Sequence, residues 1–212
     1  MTVAPERTEL PVAVRAKTLM DLAELTNTVL PGHRSEILEG QLIVTPAASG
    51  VHARSLSRLM QALDPLMGGE TDVVQAVGLW LTTGREDHAI PDLAVVDEDF
   101  EDHELAYNCY PPSVFRMVVE ITSSNWRDDL ERKPTAYAAA GVPVYVIVDR
   151  RHENVIVLTD PVDDEYRTRS EHRAGESFVF PESIGAKIEI EVDLLLNPAR
   201  AATNGRGFRH LG

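Results

Sequence analysis

Residues 114–150, VFRMVVEITSSNWRDDLERKPTAYAAAGVPVYVIVDR, decide the fold. The run VFRMVVEIT (114–122) is almost uninterrupted in apolar residues, as a strand covered on both faces should be. VPVYVIVDR (142–150) reads the same way. Between them, NWRDDLERKPTAYAAAG (125–141) reads as a helix. Asn125 can cap its start, Asp128 and Asp129 suit its positive end, and Gly141 closes it. Pro134 is out of place there and predicts a kink, or a late start to the regular helix.

Upstream, TLMDLAELTN (18–27) predicts a short helix capped by Thr18, with Asp21 and Glu24 facing water. SEILEGQLIVTP (35–46) predicts a hairpin turning at Gly40. Between Val51 and Met67 the apolar positions Leu56, Leu59, Met60, Leu63 and Leu66 recur at helical spacing, and Gly68-Gly69 ends that helix. TDVVQAVGLWLTT (71–83) predicts one long strand with a bulge at Gly78. AIPDLAVVD (89–97) predicts a strand entered through Pro91. Downstream, NVIVLTD, EYRTRSEHR, ESFVFP and AKIEIEV predict short antiparallel strands. This order implies one α/β domain with a mixed sheet over residues 18–196. Residues 1–17 are expected to be a flexible leading segment, and 197–212 a flexible basic tail.

The length of 212 residues suits one domain with an ordered core, and 43% apolar with 25% charged residues is ordinary for a soluble globular chain. No apolar stretch can span a bilayer, and MTVAPERTEL lacks the apolar core of a signal peptide. Cys109 is the single cysteine, so no internal disulfide forms, which fits a cytoplasmic protein. It lies in the turn-like YNCYPP and reads as a passive thiol. The net charge of −14 runs against nucleic-acid binding, because phosphate contacts favour basic surfaces. Much of the excess lies between Glu86 and Glu104 and reads as a solvated acidic loop.

Glu120 is the chemical oddity. A carboxylate inside the apolar run MVVEI is costly unless something compensates it. Asp92 stands just before LAVV, close to another buried strand. Two such acids brought together would repel and raise each other's pKa; a divalent cation with oxygen ligands removes that difficulty. Lys133, thirteen residues after Glu120, lies on the helix leaving its strand. Folded back, it could hold a phosphate or orient water. Blander readings stand beside these. Asp92 also reads as a strand-edge carboxylate after proline. Lys133 also reads as a solvated helix-face residue pairing with Asp129.

IPDLAVVD (90–97), VVEITSS (118–124) and RDDLERKPTAYAAAGVPVYVIVD (127–149), in that order, resemble a bacterial restriction-endonuclease-like family called Uma-two, of the PD-(D/E)XK nuclease superfamily. EILEGQLIVTPAASGVHARSLSRL (36–59) resembles that family's N-terminal signature. The resemblance implies a restriction-endonuclease-like core, with helices flanking a central mixed β-sheet. It makes Asp92 the acid of the PD element and Glu120 the acid of the (D/E)XK element. The lysine of that element would fall at Thr122 and is absent; Lys133 stands in for it. Glu36 would complete the metal shell, while His52 and Tyr137 would support the site. A solvated hairpin position is the other reading of Glu36, a satisfied helix-start residue that of His52, and a core residue that of Tyr137.

Two departures stand out: Pro134 follows Lys133 directly, and Val144 replaces an acidic residue common after GVP. No glycine-rich phosphate loop, G-x-S-x-G elbow or zinc-spaced histidine set is present. Trp80 and Trp126 read as core or interface residues. The expected function is hydrolysis of DNA phosphodiester bonds with Mg2+, Mn2+ being an alternative, by a homodimer cutting both strands. A catalytically silent binding protein on the same fold, and a hydrolase of other phosphodiesters, are the alternatives.

Overall fold

The structure, a computed structural model, describes residues 16–123, 126–196 and 209–210. Its centre is a six-stranded mixed sheet built on the strand–helix–strand segment quoted above. Strands β8 (Phe115–Ile121) and β9 (Val144–Asp149) pair in parallel, with Glu120 opposite Ile147. Antiparallel neighbours extend the sheet. On one side lie β6 (Leu93–Asp97) and β3 (Thr71–Val74); on the other lie β10 (Asn154–Val162) and β11 (Glu165–Arg173).

The alternation along β8 sorts its side chains. Met117, Val119 and Ile121 face a core layer that includes Leu59 and Leu63 of helix α2 (Gly50–Leu63) and Leu195 of the short helix α4 (Val192–Leu196). Val118 belongs to the opposite layer, with Ala136 and Tyr137 of helix α3 (Lys133–Ala139). Glu120 shares the parity of Val118 and so faces α3. A smaller sheet holds, in spatial order, β2 (Gln41–Thr45), β1 (Arg34–Leu38), β5 (His88–Ala89), β4 (Gly78–Trp80) and β7 (Cys109–Tyr110); β1 and β2 form the hairpin, turned by Glu39 and Gly40 at φ 52° and 68°. Two positive φ values in a two-residue loop match the natural strand twist. Helix α1 (Leu19–Val29) starts at the expected Thr18, whose side chain and that of Asp21 form a reciprocal capping box.

The quoted helix departs from regularity where Pro134 predicts it. Asp128–Arg132 form a wide π-type turn, in which the Lys133 N–H donates to Asp128 O. The next donor in that series would be residue 134, and proline has no N–H. Asp129 O takes the Tyr145 hydroxyl instead, at 2.8 Å. The helix ends at Gly141, φ 76°, with Gly141 N–H on Ala138 O and Val142 N–H on Tyr137 O, a Schellman closure. The expected Asn125 cap lies outside the described residues.

Several expectations are corrected. Residues 71–83 are not one strand: β3 and β4 (Gly78–Trp80) belong to different sheets, parted at Ala76 with φ 59°. Gly78 marks a close approach, not a bulge; a Cβ there would collide with Cys109 Sγ. Cys109 lies on β7 (Cys109–Tyr110), paired with β4. Burial, with Glu104 nearby, pushes its thiol up to about 12. The acidic stretch 86–104 is not one solvated loop. It contains β5 (His88–Ala89) and β6, and buried Asp87 accepts the N–H groups of Glu39 and Gly40, fixing the hairpin turn. The C-terminal strands include two nine-residue strands of the main sheet. Strand β12 (Ser177–Val179) pairs with β13 (Ile188–Glu191), and β14 (Arg209–His210), inside the expected tail, pairs with β13.

Candidate active site

The ends of β6 and β8 meet the hairpin strand β1 in a cleft lined by Arg34, Glu36, Asp92, Glu120, Asp129 and Lys133, among others. Leu93 pairs with Val119, so continuing the antiparallel register by one residue sets Asp92 opposite Glu120. The ladder stops there because the Ile121 N–H donates to Asp92 Oδ2 at 2.8 Å. Sheet geometry alone therefore brings the two acids together.

Asp92 is held by two basic side chains. Arg34 Nη1 lies 2.8 Å from Oδ1, and His52 Nε2 lies 3.2 Å from Oδ2. Burial favours a neutral Asp92, yet the His52 hydrogen bond and the Arg34 charge hold it at about 2. His52 is thus a helix-start residue satisfied at Nε2, and the group that satisfies it is an acid of the cleft. Its ring reaches across to Asp92, just before β6, and among the described residues its buried Nδ1 has no hydrogen-bond partner.

The other half of the cleft gathers around Lys133. Its ammonium lies 2.7 Å from Glu120 Oε1, 3.1 Å from Glu36 Oε1 and 3.4 Å from Asp129 Oδ1. Lys133 is 2% exposed, which corrects both the solvated helix face and the surface pair with Asp129. Tyr137, also buried, donates its hydroxyl to Glu120 Oε1 at 3.0 Å. Glu36 accepts the Ile90 N–H at 2.8 Å and is buried, not solvated.

Three carboxylates share one ammonium, and the imbalance pushes their pKa values in different directions. Burial would discharge Lys133, but Glu120, Glu36 and Asp129 hold its pKa well above the ordinary value. Burial also opposes charge on Glu36, which the Lys133 and Arg34 charges nonetheless keep below the usual carboxylate range. For Glu120 burial prevails over Lys133; with Asp92 and Asp129 adding repulsion, its pKa rises to about 8. Burial likewise takes Asp129 up to about 6.

All six residues singled out from the sequence reach this site. Sequence reasoning missed Arg34 and the buried role of Asp129. A signal existed for Arg34, since it stands two residues before Glu36 on a strand and so shares its face. Thr122, where the usual lysine is absent, instead ties the strand ends together: its hydroxyl donates to Val148 O at 3.3 Å and accepts the Arg150 N–H at 2.9 Å. Among the described residues, no three His, Cys, Asp or Glu side chains stand arranged to hold a metal ion. Arg34 and Lys133 are interposed among the acids. No described helix is long and apolar enough to cross a membrane.

No curated protein matches the chain. The crystal structure of a protein from Anabaena variabilis, described as "a putative nuclease belonging to DUF820", is 15% identical and superposes with a TM-score of 0.64, covering 85% of this chain and 98% of that one. At that identity the likeness is one of fold. The family named Uma2, described as "Putative restriction endonuclease", matches residues 20–193, and the chain belongs to that family.

Proposed function

We propose that this protein is a magnesium-dependent endodeoxyribonuclease. One observation carries the reading: Asp92 and Glu120 occupy facing positions on adjacent strands, with the Lys133 ammonium buried against Glu120. The oxygen-donor chemistry suits a hard divalent cation once Arg34 and Lys133 are displaced from the acids they now pair with. Five acids, Glu36, Asp92, Glu120, Asp128 and Asp129, line the cleft with two permanent cations, Arg34 and Lys133. Asp92 and Glu120, with Glu36, would hold Mg2+, and Mn2+ could replace it. When bound, it supplies Lewis-acid polarisation of the phosphoryl oxygen and a more acidic water.

The chain's own groups do the rest. Lys133, kept charged by its acidic neighbours, stabilises negative charge developing on the phosphoryl group. Arg34, the more exposed cation, holds a phosphate oxygen at the cleft mouth. Tyr137 and Ile90 N–H fix the Glu120 and Glu36 carboxylates in place. A cytoplasmic homodimer, presenting one site to each DNA strand, completes this reading.

The test is relaxation and linearisation of supercoiled plasmid with Mg2+. Asp92→Ala, Glu120→Ala and Lys133→Ala are each expected to slow cutting roughly a hundredfold or more. Unchanged cutting by all three would reject the mechanism. A second reading, a binding protein without turnover, is favoured by the contacts of Arg34 and Lys133 with the acids and by the net charge of −14. It requires that neither Mg2+ nor Mn2+ supports cutting of DNA or of small phosphodiesters, while a partner is still captured.

A further inference from the structure

The chain that follows β8 and β9 builds an aromatic and basic cluster that the chemistry above does not use. Trp126 is half-buried, and two guanidinium groups lie over its ring, with Arg151 Cζ at 4.7 Å and Arg127 Cζ at 5.3 Å from the centroid. His152 packs edge-on against the same ring at 6.1 Å. His152 is itself fixed, since Nδ1 meets buried Asp149 Oδ2 at 2.6 Å. Asp149 also accepts the Arg151 and His152 N–H groups at 3.0 and 3.1 Å.

The cluster borders the cleft. The Arg150 N–H bond to Thr122 clips the turn after β9 to a residue two beyond Glu120. Ser123 and Asp128, which flank Trp126 in the chain, line the cleft.

Among the described residues, neither Arg127 nor Arg151 forms an ion pair, whereas Arg34, Arg116, Arg132 and Arg169 all do. A guanidinium held over a ring and by no carboxylate retains N–H donors that fit phosphate oxygens in pairs. Beside an acidic cleft, in a chain of net charge −14, such a group opposes the repulsion that a polyanion would otherwise meet.

We propose that Arg127 and Arg151 grip DNA backbone phosphates at the rim of the cleft, and that Trp126 is the positioning residue that holds them. The inference rests on the nuclease reading above. It assigns contacts that set affinity and register without reading bases.

Binding of a labelled DNA duplex to the full chain carrying Glu120→Gln, followed by fluorescence anisotropy, tests it without cutting. Adding Arg127→Glu and Arg151→Glu is expected to weaken binding about tenfold or more and to flatten the log–log salt dependence by about two. The same charge change at exposed Arg167 and Arg173 on the edge strand β11 should alter affinity less than about twofold if specific contacts dominate. Trp126→Ala should weaken binding several-fold, and Trp126→Phe should restore most of it. Equal losses from both charge reversals would overturn the proposal, leaving only bulk charge. So would unchanged affinity in the Arg127 and Arg151 variant. Plasmid cutting separates the two claims. If the native chain cuts and the Arg127 and Arg151 reversal leaves its KM unchanged, the rim fails and the nuclease stands. If the native chain neither cuts nor binds DNA, both fail.

Discussion

The two halves of the cleft solve the same problem differently. Asp92 is one acid with two basic neighbours and a backbone N–H, and it stays ionised down to about 2. Around Lys133 three acids share one ammonium, and Glu120 holds a proton up to about 8. The first half is electrostatically complete. The second has more negative charge than its own cation can balance, which is the state a divalent ion would relieve.

Removing the shared cation breaks this contrast most severely. Lys133→Met leaves Glu36, Glu120 and Asp129 buried without their ammonium. The expected loss is about 3–5 kcal/mol at neutral pH, measured by chemical denaturation in chelator. Part of it should return as pH falls from 8 to 5, because the buried carboxyls bind protons there more tightly than the unfolded chain does. A loss of under about 1 kcal/mol, flat with pH, would mean the three acids do not depend on Lys133.

A gentler probe sharpens the comparison by sign. Glu120 binds its proton more tightly folded, at about 8, than at its ordinary 4.5, so its contribution to stability falls as pH rises between those values. Asp92 does the reverse. Its pKa falls from 3.8 to about 2, so the stability it contributes is present above 3.8 and lost as pH drops through 2. In metal-free buffer, Glu120→Gln should lessen the decline between pH 5 and 8. Asp92→Asn should lessen the rise between pH 2 and 4. Identical pH profiles for the two variants would erase the distinction between the halves.

The contrast also marks what could be read from the residues alone. Glu120 was legible because a carboxylate within MVVEI has no inexpensive explanation. Lys133 and Tyr137 were legible from their place on the helix leaving that strand. The two-sided burial of 114–122 and 142–150 revealed the sheet's centre. What stayed hidden depends on contacts distant in the chain. Arg34 meets Asp92 across 58 residues, and its only local mark is that it shares a strand face with Glu36. The split of 71–83 between two sheets turns on a positive φ at Ala76, a residue type with no preference for it. The burial of Asp129 follows from a π-type turn, which periodicity at 3.6 residues cannot register.

That turn supplies the smallest effect, and a test of how the acid-rich half is held. Tyr145 donates to Asp129 O, where the donor from residue 134 is missing because it is proline. Tyr145 also packs edge-on against Tyr137, the phenol that bonds Glu120, at 4.9 Å. Tyr145→Phe keeps the ring packing and removes only the hydroxyl, at an expected cost of about 1 kcal/mol. Pro134→Ala restores a backbone N–H at the position where the wide turn lacks one. In that background Asp129 O has a second donor within reach, so Tyr145→Phe should cost measurably less than in the native chain. The double-mutant cycle, read by denaturation, isolates this coupling. Strict additivity would show that Tyr145 does not replace the missing helix bond. A positive coupling would identify Pro134 as part of what shapes the turn carrying Asp129 and Lys133.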